Sequence, residues 1–360
     1  MNEEAKRKLA QIRDLAESGD DEAVVDQINA LMIEYPDDPE IGFVFMTVAM
    51  KNQGYDVILS IGPLMMNASR GLTRKAEIAS YLSSAHFYSA NYEEALIFQS
   101  KAFFFLCLAA DAGVFINSKP REIITRFEDP KITDYLANLL HMLHEDGVRV
   151  GAFYGTLLGI IRDQKILPHD KDIDLICNIT DLPKVVEWFE KNDYINAHAD
   201  IFENLRSFKS RTVGICVDIF AAEITESKTK VGFAPIGYKG TDWEYIEVVP
   251  KVELVDFLFK GRKCFVPQEP ENMLAALYGE NWKTPDPYFI PFLEPVGVQD
   301  SGLRRFYAGL QILRSWLKGD YLRAIYGTKL LLEVDPFDPI FLNIRNSLSL
   351  SNVYWESQND

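Results

Sequence analysis

Asp170, Asp172 and Asp174 stand at alternate positions in the run Asp170-Lys-Asp-Ile-Asp174. In an extended chain successive side chains point to opposite faces, so Asp172 and Asp174 share one face and Ile173 and Leu175 the other. Carboxylates at that separation repel, and each is pushed toward its protonated form unless a cation lies between them. Apolar residues turned inward and carboxylates turned outward fit a hard divalent cation, Mg²⁺ or Mn²⁺, which takes one or two carboxylates together with phosphate oxygens. Taken alone, the same residues also read as a solvated acidic loop after Pro168.

Two further features bear on that choice. Tyr154-Gly-Thr156 lies where a strand pattern gives way to a helical one. Gly155 allows a ligand close to the backbone, and Thr156 offers a hydroxyl and an amide at a helix N-terminus, a favourable place for phosphate and equally an ordinary cap. Arg162, roughly two turns on, is spaced for a bidentate grip on the same phosphates. The second feature is Asp218, set among apolar β-formers in Val217-Asp-Ile-Phe220. A buried, unpaired carboxylate is costly, so Asp218 must face a metal or a basic partner such as Arg206, Lys209 or Arg211.

The elements that carry these groups are readable from periodicity. Ile132–Glu145 predicts a helix stopped by Asp146-Gly147, and Val148–Tyr154 alternates as a strand before Thr156–Arg162 turns helical. Ile173–Cys177 and Ile215–Phe220 predict short strands, with a helix over Leu182–Asn192 between them. Strands alternating with helices indicate an α/β core. Met273–Tyr278 predicts a helix ending at Gly279, with Trp282 either packing that helix or stacking on a base, packing being favoured.

Outside the middle the chain reads as all-helical. Asn91–Phe103, preceded by Leu82 and Ala85, resembles a tetratricopeptide repeat. So do Gly19–Val24 followed by Tyr35-Pro36, a weaker copy at Gly54–Ile58, and Gly319–Ile325 followed by Val334-Asp-Pro336. The N-terminal copies recur at roughly the 34-residue period of such repeats. A small alanine at each crossing lets helices approach, and one hairpin cannot bury its apolar face without neighbours. An irregular helical domain is the alternative.

The 360 residues carry a net charge of −16, which argues against a nucleic acid as partner. A small phosphorylated substrate remains compatible, because a bound metal supplies local positive charge. Cys107, Cys177, Cys216 and Cys264 are scattered, as expected of reduced thiols. His141 and His144 lie a helical turn apart with no answering Cys or His, which favours packing over zinc. No signal-peptide pattern opens the chain, and the most apolar stretch, Ala102–Ala110, is about half of the ~20 residues that span a bilayer, so a cytoplasmic protein is expected.

The pattern Gly155–Arg162, Leu167–Leu175, the Val-Asp-Ile-Phe strand at Asp218 and Val266-Pro through Tyr278-Gly-Glu-Asn-Trp282 resembles the LicD/fukutin family of the nucleotidyltransferase superfamily. The resemblance implies an α/β (α+β) core with a mixed sheet at 126–297, flanked by repeat-like helical segments at 1–125 and 298–360. It implies transfer of a phospho-alcohol, phosphocholine or a polyol phosphate, from a CDP-linked donor to a glycan hydroxyl. In that reading Asp172, Asp174 and Asp218 hold Mg²⁺ or Mn²⁺, and Gly155, Thr156 and Arg162 cradle phosphates. Asp170 or Asp218 orients or deprotonates the acceptor, and Arg206, Lys209 and Arg211 meet substrate charge or are simply solvated. Two positions depart from the family: His169 replaces its usual Trp and Lys171 a frequent Asp, which bears on the acceptor and the pH dependence. Two other readings stay open: a nucleotidylyltransferase attaching NMP to a small molecule or protein, and a non-catalytic scaffold whose helical flanks dock a protein partner.

Overall fold

A computed structural model of the chain describes residues 3–18, 21–36, 38–117, 125, 127, 130–197, 202–236, 243–295 and 297–359. Six helices come first: α1 (Glu3–Ser18), α2 (Asp21–Glu34), α3 (Pro39–Lys51), α4 (Tyr55–Ala68), α5 (Leu72–Tyr88) and α6 (Tyr92–Asp111). Next come α7 (Pro130–Glu145), β1 (Val150–Ala152), α8 (Tyr154–Leu158), a π turn (Gly159–Asp163), β2 (Asp172–Asn178) and α9 (Leu182–Lys191). Five strands follow: β3 (Tyr194–Asn196), β4 (Leu205–Ser210), β5 (Cys216–Ile224), β6 (Lys228–Phe233) and β7 (Tyr245–Pro250). The hairpin β8 (Leu254–Phe259) and β9 (Arg262–Pro267) precedes α10 (Pro270–Tyr278), α11 (Gly302–Leu317), α12 (Tyr321–Val334) and α13 (Pro339–Asn359).

The chain divides into two compact units, Met1–Pro120 with Gly309–Asp360, and Arg121–Ala308. In the first, consecutive helices pack in pairs, as stacked hairpins require. The α5–α6 hairpin is held by fully buried Ala85, Ala95 and Ala102 and by the Ser83 hydroxyl, which donates to the Ala95 carbonyl at 2.8 Å. The early and late helical segments belong to this one unit. Phe103 of α6 meets Phe341 of α13 edge-on at 6.2 Å, and the Tyr321 hydroxyl donates to the Ile116 carbonyl at 2.7 Å. Gly19, which opens the first repeat-like copy, lies outside the described residues.

The second unit is the expected α/β core. Its mixed sheet has seven strands among the described residues, ordered β1-β2-β5-β4-β3, with β6 on the far end of β5 and β7 on β6. β2 and β5 are parallel and the other pairs antiparallel. The expected strands and helices through α10 are all present, and β5 runs beyond Phe220 to Ile224.

Alternation in β2 and β5 turns Ile173, Leu175, Val217 and Ile219 into the core, each essentially inaccessible. Phe208 of β4 shares that side, and Phe189 of α9 stacks on it with ring centroids 4.8 Å apart. Leu136, Leu139, Leu140 and Leu143 bring the apolar stripe of α7 into the same core. Trp282 is buried there too, which selects packing over base stacking.

Candidate active site

The in-register pairing of β2 with β5 sets Asp172 opposite Cys216 and Asp174 opposite Asp218. On the other side of β5, Ser207 stands opposite Asp218 and Lys209 opposite Cys216. Alternation makes all six residues share the face away from the core. Asp170 joins from the turn before β2, where its amide donates to the Leu167 carbonyl at 3.1 Å. All four aspartates are half-buried.

Their electrostatics follow from crowding. Burial, then the Asp172 charge, pushes Asp170 up to about 7, with Arg162 opposing. Asp218 is pushed up to about 6 by burial and the Asp172 charge, while the hydrogen bond from Ser207, 2.6 Å, pulls the other way. Asp174 lies well above the usual carboxylate range through burial and the charges of Asp172, Asp218 and Asp170, and the Gly155 amide offsets part of this. No hydrogen-bond donor reaches Asp170 Oδ2 among the described residues.

The Gly-Thr turn does different work from that expected. Thr156 is fully buried, and its hydroxyl oxygen accepts the Asp174 N–H at 2.8 Å. Its oxygen therefore ties β2 to α8 instead of lying open to a phosphate. Gly155 is needed because Asp170 presses on it: a Cβ there would sit 2.7 Å from Asp170 Oδ2. The glycine serves close approach by a carboxylate. Gly159 allows the return of the chain, since a Cβ there would come within 2.5 Å of the Lys165 carbonyl oxygen.

The basic residues separate. Arg162 pairs with both oxygens of Asp163, at 3.0 and 3.1 Å, and reaches the Trp282 carbonyl at 3.4 Å, so a phosphate would have to displace Asp163 from its fork. Arg206 stands opposite Ile219, on the core face, and caps the carbonyls of Phe202 and Leu205 at 2.9 Å; it does not face the aspartates. Exposed Arg211 pairs with Asp193 at 3.6 Å. Lys209 alone of the three shares the aspartate face. His169 and Lys171 are exposed beside the site.

Sequence reasoning missed Ser207 and Glu247. Glu247 on β7 is fully buried, and its Oε2 accepts from the hydroxyls of Tyr154 at 2.7 Å and Tyr245 at 3.1 Å. Burial pushes it up to about 7 against those two hydrogen bonds. The alternation Tyr245-Ile-Glu247 was available as a signal, an acid within a β-forming run like that around Asp218.

The donor chemistry fits a divalent cation: the aspartates are mutually destabilising, and Asp170 Oδ2 has no partner among the described residues. Among the described residues, no three His, Cys, Asp or Glu side chains are already gathered as a metal-binding set. No helix among the described residues is long and apolar enough to cross a membrane.

Residues 147–269 match the LicD/FKTN/FKRP nucleotidyltransferase domain. The match spans the β1–α8 turn and the strands that carry Asp172, Asp174, Asp218 and Glu247. No curated protein matches the chain.

Proposed function

We propose that the central unit, whose residues 147–269 match the LicD/FKTN/FKRP nucleotidyltransferase domain, transfers a phospho-alcohol from a CDP-linked donor to a glycan hydroxyl. The observation that carries this reading is the register that sets Asp174 beside Asp218 and aligns Asp172 on the same face. Folding alone does not favour such crowding.

Asp172, Asp174 and Asp218 would hold Mg²⁺ or Mn²⁺, which when bound supplies positive charge to a diphosphate. In the proposed step the acceptor oxygen bonds to the phosphorus bearing the alcohol, the bond from that phosphorus to the CMP oxygen breaks, and CMP leaves. The acceptor hydroxyl gives its proton to Asp170 or Asp218. Ser207 already engages Asp218 Oδ1, whereas Asp170 Oδ2 retains its capacity to accept. Lys209 is the basic residue of this face suited to substrate charge. Phosphoryl transfer depends chiefly on positioning and charge neutralisation, which a fixed acidic face provides.

The test is incubation with CDP-choline, CDP-ribitol or plain nucleoside triphosphates, each with Mg²⁺ and candidate glycans. CMP release with phospho-alcohol on the glycan is the expected result. Pyrophosphate without CMP would move the bond to nucleotidyl transfer, a reaction the same aspartates suit. Cellular function retained after Asp172→Asn with Asp174→Asn would favour a scaffold, with the helical unit as its docking surface.

A further inference from the structure

Glu247 has an unusual setting for an acid. It is fully inaccessible, Oε2 takes two tyrosine hydroxyls, and Oε1 has no partner among the described residues. A side chain with so costly a position needs a reason beyond filling space. Its backbone is held on both sides: β7 pairs Glu247 with Val231 of β6, and an isolated bridge joins Glu247 to Val298. The carboxylate is a fixed point.

Tyr154, its closest partner, is under strain. Its φ is +38°, in the left-handed region that a bulky residue rarely adopts. Such a conformation persists only where the surroundings over-determine it. Here the ring lies 4.2 Å from that of Phe153 and edge-on at 5.0 Å to that of Phe220, and the hydroxyl is anchored on Glu247. The next residue is Gly155, against whose Cα Asp170 presses.

We propose that Glu247 is a positioning residue: by anchoring Tyr154 it locks the left-handed turn that seats Gly155 against Asp170 and leaves room for that carboxylate. It touches neither substrate nor the reacting atoms. The role rests on the aspartate face being the reaction centre, and it concerns the acid's hydrogen-bond capacity, not its charge. Glutamine keeps an acceptor oxygen for the two tyrosines, whereas leucine keeps the bulk and removes the acceptor.

The experiment compares wild type, Glu247→Gln, Glu247→Leu and Tyr154→Phe by Mn²⁺ affinity, turnover with the CDP-alcohol found active, and hydrogen exchange of the Gly155 amide. Losing a supporting partner of this kind typically costs about 10–100-fold in metal affinity or turnover. That loss is expected for Glu247→Leu and Tyr154→Phe, mainly in kcat with KM little changed, together with faster exchange at Gly155. Glu247→Gln is expected to stay within about threefold of wild type, a rescue set by retention of the acceptor. Wild-type values in Tyr154→Phe would overturn the proposal, and so would a Gln variant as impaired as the Leu one, because charge would then be what matters. If wild type turns over no donor, the function proposed above fails, while exchange at Gly155 still decides this role: equal rates in all four proteins would overturn it.

Discussion

In the helical unit, Glu40 and Glu77 share one guanidinium: Arg74 reaches Glu77 at 2.6 Å and Glu40 at 3.0 Å, and lies 3.8 Å over the ring of Phe43. In the central unit, Asp170, Asp172, Asp174 and Asp218 crowd one face, while Arg162 is occupied by Asp163. Both clusters are acidic and partly buried; in the first one arginine joins the two acids, whereas in the second the aspartates raise one another's proton affinity. An acid pair closed by its own arginine is a structural joint. Acids left repelling one another hold stability back, and a ligand that neutralises them recovers it.

The comparison breaks most visibly at β2. Asp172→Asn with Asp174→Asn is expected to lower CMP release by about a thousandfold or more, since several kcal/mol of charge stabilisation depend on these groups. The same change relieves repulsion, so the thermal midpoint should stay level or rise. A large fall in midpoint would show that the aspartates are structural after all.

Gly155→Ala tests the crowding sterically. The added Cβ meets Asp170 Oδ2 at 2.7 Å, and displacing a reacting group by an ångström costs roughly a hundredfold in rate. Stability should fall by about 1–3 kcal/mol from overpacking, measured by denaturant titration.

A pH series sharpens the contrast. Asp170 is raised to about 7 and Glu247 to about 7, above their unfolded values of 3.8 and 4.5. Between the two limits the folded chain holds protons that the unfolded chain has lost. Their contribution is therefore fully favourable below about pH 4 and is lost as pH rises through about 7. Without a divalent cation, the thermal midpoint should fall from pH 5 to pH 8, and Asp170→Asn or Glu247→Gln should each flatten that fall. An equal slope in all three proteins would remove these two groups as its source.

Arg74→Ala is the counterpart in the helical unit. It leaves Glu77, already pushed up by burial, without its partner. A loss of about 1–2 kcal/mol is expected, reduced from the buried-pair value because the arginine is 27% exposed. Turnover per folded molecule should be unchanged. Arg211→Ala marks the floor: the exposed pair with Asp193 should be worth less than about 0.5 kcal/mol, with no effect on rate. A clear rate loss there would return Arg211 to the substrate site.

Much of this is legible in the sequence. Helical periodicity located α7, α9 and α10, and alternation put Asp172 and Asp174 on one face with Ile173 and Leu175 on the other. Asp218 stood out as an acid within an apolar strand. The charge-rich β4 was not legible: in Arg206-Ser-Phe-Lys209 the pattern is a weak guide to which residues face the core. Its register with β5 sent Arg206 to the core side and Ser207 to Asp218, and a slip of one residue would have reversed them.

Local patterns record what each segment must do by itself, so the sequence alone determined the acidic face, the α/β alternation and the helical flanks. Only tertiary structure decided that Asp174 sits beside Asp218, that Thr156 serves β2 instead of a phosphate, and that Glu247 reaches Tyr154. These are contacts between residues 18 to 93 positions apart, and they depend on strand order, register and one left-handed residue. No short window of sequence carries that information.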